Sequence, residues 1–128
     1  EEVRIKEYTL EDIAGSLKRS LLELHQVGGV PKEQIMILTD GSTDKFDLKV
    51  HSNGFEYEIL DPVKAREKGK IYFSSIHRFK GCEAPVVILL LKRRLQEIKE
   101  GKTYQKNRLY TQLSRAKSLL YVLEPERN

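Results

Sequence analysis

FSSIHRFKGCEAPVVILLLK, residues 73–92, sets a polar cluster directly before a purely apolar run. The run at 86–91 is too short to span a bilayer, which takes ~20 apolar residues. Its length and β-branched start suit a strand buried on both faces, as in a parallel sheet. Working outward, Ile35-Met36-Ile37-Leu38 reads as a second such strand, ending in the turn-rich Asp40-Gly41-Ser42. The VRIKEY stretch at 3–8 predicts an opening strand, 70–74 another, and 118–123 a last one that Pro125 ends.

Between these strands the period changes. Leu10, Ile13, Leu17, Leu21, Leu24 and Val27 recur at helical spacing, so they predict one amphipathic helix with a single core face. Thr9 reads as its N-cap, with Asp12 as the capping-box carboxylate, and Gly28-Gly29 as its stop. His25, near that helix end, reads as a capping or surface residue. A second helix is expected over 106–117, with Leu109 and Leu113 inward. The stretch 43–60 stays open: FDLKV and FEYEIL fit a hairpin through Ser52-Asn53-Gly54, or a short helix followed by a strand. Alternation of strands and helices predicts an α/β fold with a largely parallel sheet.

Composition bounds the function. A chain of 128 residues with 39% apolar and 33% charged content reads as one folded domain, 1–128. It begins Glu1-Glu2, and the expectation is a piece of a longer protein. No signal peptide or membrane span is visible. Cys82 is the only cysteine, which excludes an internal disulfide and a multi-cysteine metal site and fits an intracellular, cytoplasmic setting. Net charge is +4, but residues 92–108 alone carry seven basic and two acidic side chains. That local excess attracts phosphate backbones, although it also suits an ordinary solvated face.

Phosphate chemistry raises the question of a P-loop. Gly101-Lys102-Thr103 supplies its ending, but Gln96 stands where the first glycine belongs, and no strand precedes it. The apolar run is followed by Lys92-Arg93-Arg94 and no magnesium-holding acid. The chain therefore lacks both halves of an independent nucleotide-hydrolysing site. The three histidines make no metal signature, and Cys82 beside Glu83 is a packing residue rather than a nucleophile. Two clusters remain: Ser75, His77, Lys80, Gly81 and Glu83, then Tyr110-Thr111-Gln112-Leu113-Ser114-Arg115-Ala116. Both sit at strand ends, where open α/β sheets bind ligands. Gly81 lets a backbone approach closely, and Arg115 carries a permanently charged fork suited to phosphate.

These clusters resemble a known family. SSIHRFKGCEAPVVIL resembles motif V of the UvrD/Rep-type superfamily 1 helicases, Thr-x-His-x-x-Lys-Gly-x-Glu before an apolar strand. NRLYTQLSRAKSLLYVL resembles motif VI, Tyr-x-x-x-Thr/Ser-Arg-Ala before another strand. The resemblance covers 71–123 best, and the opening strand, helix and IMIL strand more weakly. It implies a three-layer RecA-like domain, the second of two motor domains with ATP and Mg between them. The first domain of the same polypeptide would carry the P-loop and most contacts to ATP and Mg. Arg115 would be the arginine finger, Glu83 would meet the ribose, and Gly81 and Gln112 would lie at the nucleotide. Ser75, His77 and Lys80 would meet single-stranded or duplex nucleic acid, DNA rather than RNA. The family's Asn-Tyr-Arg-Ser-like segment is absent, and Ser75 replaces the usual Thr. The rival reading is a non-catalytic nucleic-acid-binding or interaction module derived from such a domain.

Overall fold

Among the described residues every strand pairs in parallel with its neighbours, in one sheet. The strands are β1 (Glu2–Tyr8), β2 (Ile35–Thr39), β3 (Tyr57–Ile59), β4 (Ile71–Ser75), β5 (Ala84–Leu90) and β6 (Ala116–Pro125). Their spatial order is β1-β6-β5-β2-β4-β3. This computed structural model describes residues 2–39, 55–61, 63–75, 84–92, 94 and 116–126.

The continuous apolar runs are explained by position. β2 and β5 are neighbours at the centre, and each has a strand on both sides. Every residue of β2 is buried, and β5 is buried except at Pro85. Alternate side chains therefore feed two separate clusters. One face gathers Ile35, Ile37, Ile88, Leu90, Phe73 and Tyr121; the other gathers Met36, Leu38, Val87, Leu89, Leu120 and Val122. A strand buried on both faces has no position where a polar residue is free of cost.

One α-helix, α1 (Ile13–Leu22), lies among the described elements, and its Leu17 and Leu21 join the first cluster. Its ends differ from the sequence expectation. Thr9 makes no side-chain cap; a single 3-10 turn, Leu10–Asp12, intervenes. Asp12 is the cap, its Oδ1 accepting from the Gly15 amide at 3.1 Å. Gly15 makes this possible, because a Cβ there would stand 2.4 Å from Asp12 Oδ2. At the other end the helix widens into one π turn, Glu23–Val27. The extra residue per turn rotates the following side chains off the apolar stripe. Leu24 stays buried, but Val27, expected inward, is 85% exposed.

The exit is closed by backbone bonds. Gly28 N donates to Glu23 O at 2.9 Å, and Val30 N donates to Leu24 O at 3.0 Å. Gly29 takes φ of 70°, the left-handed C-terminal turn that glycine adopts at little cost. His25 Nδ1 donates to the Val30 carbonyl at 2.7 Å, so this histidine ties the turn, as a capping role requires.

The last strand begins earlier than expected. Ala116 and Lys117, expected to end a helix over 106–117, belong to β6. Ala84 pairs with Ala116, and the register then shifts so that Val86 pairs with Leu119. The extra residue on β6 is a bulge, which masks the strand's alternation at its start. Of the open stretch 43–60, only 55–60 is described; Tyr57–Ile59 forms an edge strand parallel to β4. The choice between hairpin and helix over the rest lies outside the described residues.

The carboxyl ends of β1, β5 and β6 are bound together by polar contacts. The buried Tyr8 hydroxyl donates to the Leu91 carbonyl, and burial pushes its phenol pKa up to about 12. Leu91 N donates to Leu123 O at 2.9 Å. Arg94 then closes this end. Its guanidinium pairs with Glu7, meets Glu124 Oε1 at 3.2 Å, and donates to Pro125 O at 3.0 Å. The Glu124 side chain is only 8% exposed.

Removing the partner of a buried carboxylate strands its charge, which costs about 3 kcal/mol or more. Arg94→Met is expected to lower unfolding stability by about that much in urea titration. Adding Glu124→Gln should recover part of the loss; no recovery would count against the pair. Tyr57 offers the opposite case, with a buried hydroxyl that has no hydrogen-bond partner among the described residues. Tyr57→Phe relieves it and is expected to stabilise by about 1 kcal/mol, raising Tm by a few degrees.

Candidate functional site

Of the residues singled out by sequence, Ser75 is described; His77, Lys80, Gly81, Glu83, Gln112 and Arg115 lie outside the described residues, as does Gly101-Lys102-Thr103. The strands that flank them are described, and they fix where the two clusters enter and leave the sheet.

Ser75 is the last residue of β4, at a carboxyl end. Ala84, which follows Glu83 in sequence, is the first residue of β5, at an amino end. Because all strands are parallel, these are opposite ends of the sheet. Thr39 pairs with both Ser75 and Leu90, so Ser75 and Leu90 stand at one level. From Ala84 to Leu90 is six residues, or about 20 Å along the strands at ~3.3 Å each. The first cluster, read as one strand-end group, is thus bracketed by the two ends of the sheet.

The second cluster meets one of these ends. Ala116, which follows Arg115 in sequence, is the register partner of Ala84. The two chain segments that carry Glu83 and Arg115 therefore enter neighbouring strands side by side. Their order in sequence, 32 positions apart, gives no hint of this proximity.

The charges nearby are partly committed. Arg94, counted in the basic stretch 92–108, holds Glu7 and Glu124 and is largely neutralised. Lys70, just before β4, pairs with Glu58 at 3.0 Å and Glu67 at 2.9 Å. The hydrogen bonds it donates to Glu67 and Glu58 hold its ammonium pKa above the usual value, and the Glu67 contact lowers the pKa of that carboxylate. A polar cleft of about 210 Å³ opens elsewhere, between α1 and the strands β1 and β6. Its Glu23 is committed: it pairs with Arg4 at 3.3 Å and accepts from the Tyr121 hydroxyl at 3.1 Å. None of the candidate residues lines it.

One residue at the carboxyl end escaped the sequence reading. Thr39 ends β2, is fully buried, and is the register partner of Ser75. Its only signal was a hydroxyl closing an apolar run. Behind Ser75, the buried Ser74 Oγ donates to the Ser75 carbonyl at 2.8 Å. Among the described residues no group of three His, Cys, Asp or Glu side chains is placed to hold a metal ion. No helix there is long and apolar enough to cross a membrane.

Comparison with known proteins agrees with the motifs. Residues 70–123 match the family described as the UvrD-like helicase C-terminal domain. Both motif segments fall within that match. Among solved structures, the chain is similar to the C-terminal domain of a possible DNA helicase from Lactobacillus plantarum WCFS1. That similarity has a TM-score of 0.71 at 14% identity, covering 97% of this chain and 73% of that one. At this identity it shows the fold: an α/β domain built on a parallel sheet. No curated protein matches the chain.

The pairing of Ala84 with Ala116 can be tested directly. In a Cys82→Ser background, cysteines at 83 and 115 are expected to be bridged by a maleimide cross-linker of ~10 Å reach, given strands ~4.8 Å apart. Cysteines at 75 and 83 should not be. Efficient bridging of the second pair, with none of the first, would overturn the assigned register.

Proposed function

We propose that this chain is the second motor domain of an ATP-dependent superfamily 1 helicase, acting on DNA with a P-loop domain of the same polypeptide. The observation that carries this reading is the pairing of Ala84 with Ala116. Paired strands lie ~4.8 Å apart, and each further residue adds at most ~3.8 Å. The Cα atoms of Glu83 and Arg115 are therefore held within about 12 Å of one another. A carboxylate and a guanidinium at that separation can serve one nucleotide.

In this reading Arg115 reaches the γ-phosphate of ATP held by the P-loop domain. Its fixed, delocalised charge stabilises the negative charge that develops on the transferred group. Glu83 accepts a hydrogen bond from the ribose hydroxyl, and Gln112 supports the same face. Gly81 leaves room for the backbone to approach the nucleotide. Mg and the phosphate cradle belong to the partner domain, consistent with the missing P-loop in this sequence. At the other end of the sheet, Ser75 with His77 and Lys80 meets the phosphodiester backbone of a single strand. Closure of the two motor domains on ATP would bring Arg115 into place, and the residues between Ser75 and Glu83 would pass that movement to the strand.

The remaining basic residues of 92–108 add affinity through counterion release, without base specificity. Arg94 is not among them, because its charge is taken up at the sheet end.

The experiment is a turnover assay on the intact parent protein and on the 128-residue chain. Arg115→Ala in the intact protein is expected to lower ATP turnover by ~10³ or more while single-strand binding is retained. The chain alone should show no turnover. Stoichiometric hydrolysis by the chain alone would reject the shared-site reading, and an unaffected Arg115→Ala protein would reject the motor-domain reading in favour of a non-catalytic module.

A further inference from the structure

One edge of the sheet is β1, which pairs with β6 on one side and with no described strand on the other. Such an edge carries a row of backbone donors and acceptors open to a further strand. Its side chains are sorted by face. Val3 and Ile5 stand in register with Leu120 and Val122, which belong to the apolar cluster on the face away from α1. Leu120 and Val122 are fully buried, whereas Val3 is 53% and Ile5 is 49% exposed. The apolar face therefore continues to the edge and stops there uncovered. Single exposed apolar side chains are ordinary, but two in line on an open edge form a ledge for a partner.

On the α1 side the same strand borders the cleft of about 210 Å³. The carboxylates of that cleft are committed. Glu7 is held by Arg94, and Glu23 by Arg4 and the Tyr121 hydroxyl. Two of its cations are held more loosely. Arg19 donates to Ser16 Oγ at 3.0 Å and reaches Asp12 only at 3.9 Å, with both charged side chains well exposed, a pairing that water screens. Asp12 is also engaged as the cap of α1. Lys6 is exposed, lines the cleft, and enters no ion pair among the described residues. The edge thus offers an apolar ledge on one face and positive charge on the other.

We propose that the β1 edge is a docking site for an extended segment of a partner protein, alternating apolar and acidic residues, that adds to the sheet as a further strand. Successive residues of a strand point to opposite faces. Such a guest lays its apolar set beside Val3 and Ile5 and its acidic set beside Lys6 and Arg19. Backbone hydrogen bonds give the affinity, and the alternation gives the selectivity. A second copy of this chain fits less well. Symmetric antiparallel pairing of two β1 strands keeps like faces together, so Arg4 and Lys6 of both copies would share one face. Neither nucleotide nor nucleic acid enters this inference, so it stands apart from the motor-domain reading.

The test uses the 128-residue chain and short fluorescent peptides. One alternates valine and glutamate, a second alternates valine and lysine, and a third carries the valines and glutamates of the first in two blocks. The first is expected to bind about tenfold more tightly than either of the others. Lys6→Glu combined with Arg19→Glu should weaken it about tenfold and favour the valine–lysine peptide instead, a gain that an unfolded variant would not show. Amide resonances of the unaltered chain locate the site without any variant. Those of residues 3–7 should shift and exchange more slowly, while those of Tyr57–Ile59 at the other edge should not. Equal binding of the two-block peptide would show that charge alone is read, and shifts at Tyr57–Ile59 would put the guest at the other edge; either overturns the inference. Failure of the alternating peptide to bind also overturns it, whether the chain sediments as a monomer or as a dimer that covers β1.

Discussion

The parallel ladder that β5 makes with β2 on one side and β6 on the other is what the remaining features depend on. A parallel strand in the middle of a sheet has no exposed edge and no exposed face. Its backbone groups are paired, and its side chains are divided between two apolar clusters. Everything polar is therefore forced to the two ends of the strands. At the amino end the pairing of Ala84 with Ala116 fixes which chain segments arrive together. At the carboxyl ends of β2 and β4 the apolar side chains give way to the hydroxyls of Thr39, Ser74 and Ser75. The separation of the two ends is thus a by-product of burying the middle.

The same constraint accounts for the ion pairs. Arg94 leaves the sheet just after β5 and finds Glu7 and Glu124 at the ends of β1 and β6. The guanidinium replaces water at a buried carboxylate, with hydrogen bonds to two carboxylates and a carbonyl. The arrangement holds the ends of β1 and β6 to the chain leaving β5. It also subtracts from the positive field that composition suggests, because a paired arginine attracts little from solution.

Much of this was legible in the letters because burial on both faces leaves an unambiguous mark. Ile35-Met36-Ile37-Leu38 and the run at 86–91 could hardly be anything else, and a parallel sheet followed from their continuity. What failed was local phase. Thr9 offered a better-looking cap than Asp12, but only Gly15 leaves space for a carboxylate over the first turn. Val27 kept the helical count until one π turn moved it outward, and nothing in Glu23–Val27 announces that turn. The bulge near the start of β6 hid Ala116 and Lys117 in the same way. The two motifs were readable as patterns, but their placement was not. Spacing along the chain says nothing about which end of a sheet a residue reaches, so Ser75 and Glu83 looked like neighbours. Thr39 was invisible because a hydroxyl closing an apolar run belongs to no motif, and Arg94 looked like one more charge because its partner Glu7 lies 87 positions away.

The span between β4 and β5 sets a limit on the length of the chain that joins them. Ser75 and Ala84 are about 20 Å apart along the strands and two strand spacings apart across them, or about 22 Å in all. Nine backbone steps join them, and fully drawn out these reach about 32 Å. With four residues fewer, the reach falls to about 18 Å and the strands could not be connected at all. The link between β4 and β5 is therefore a tether near its minimum length. Loss of four residues is geometrically forbidden there, whereas added residues only introduce slack.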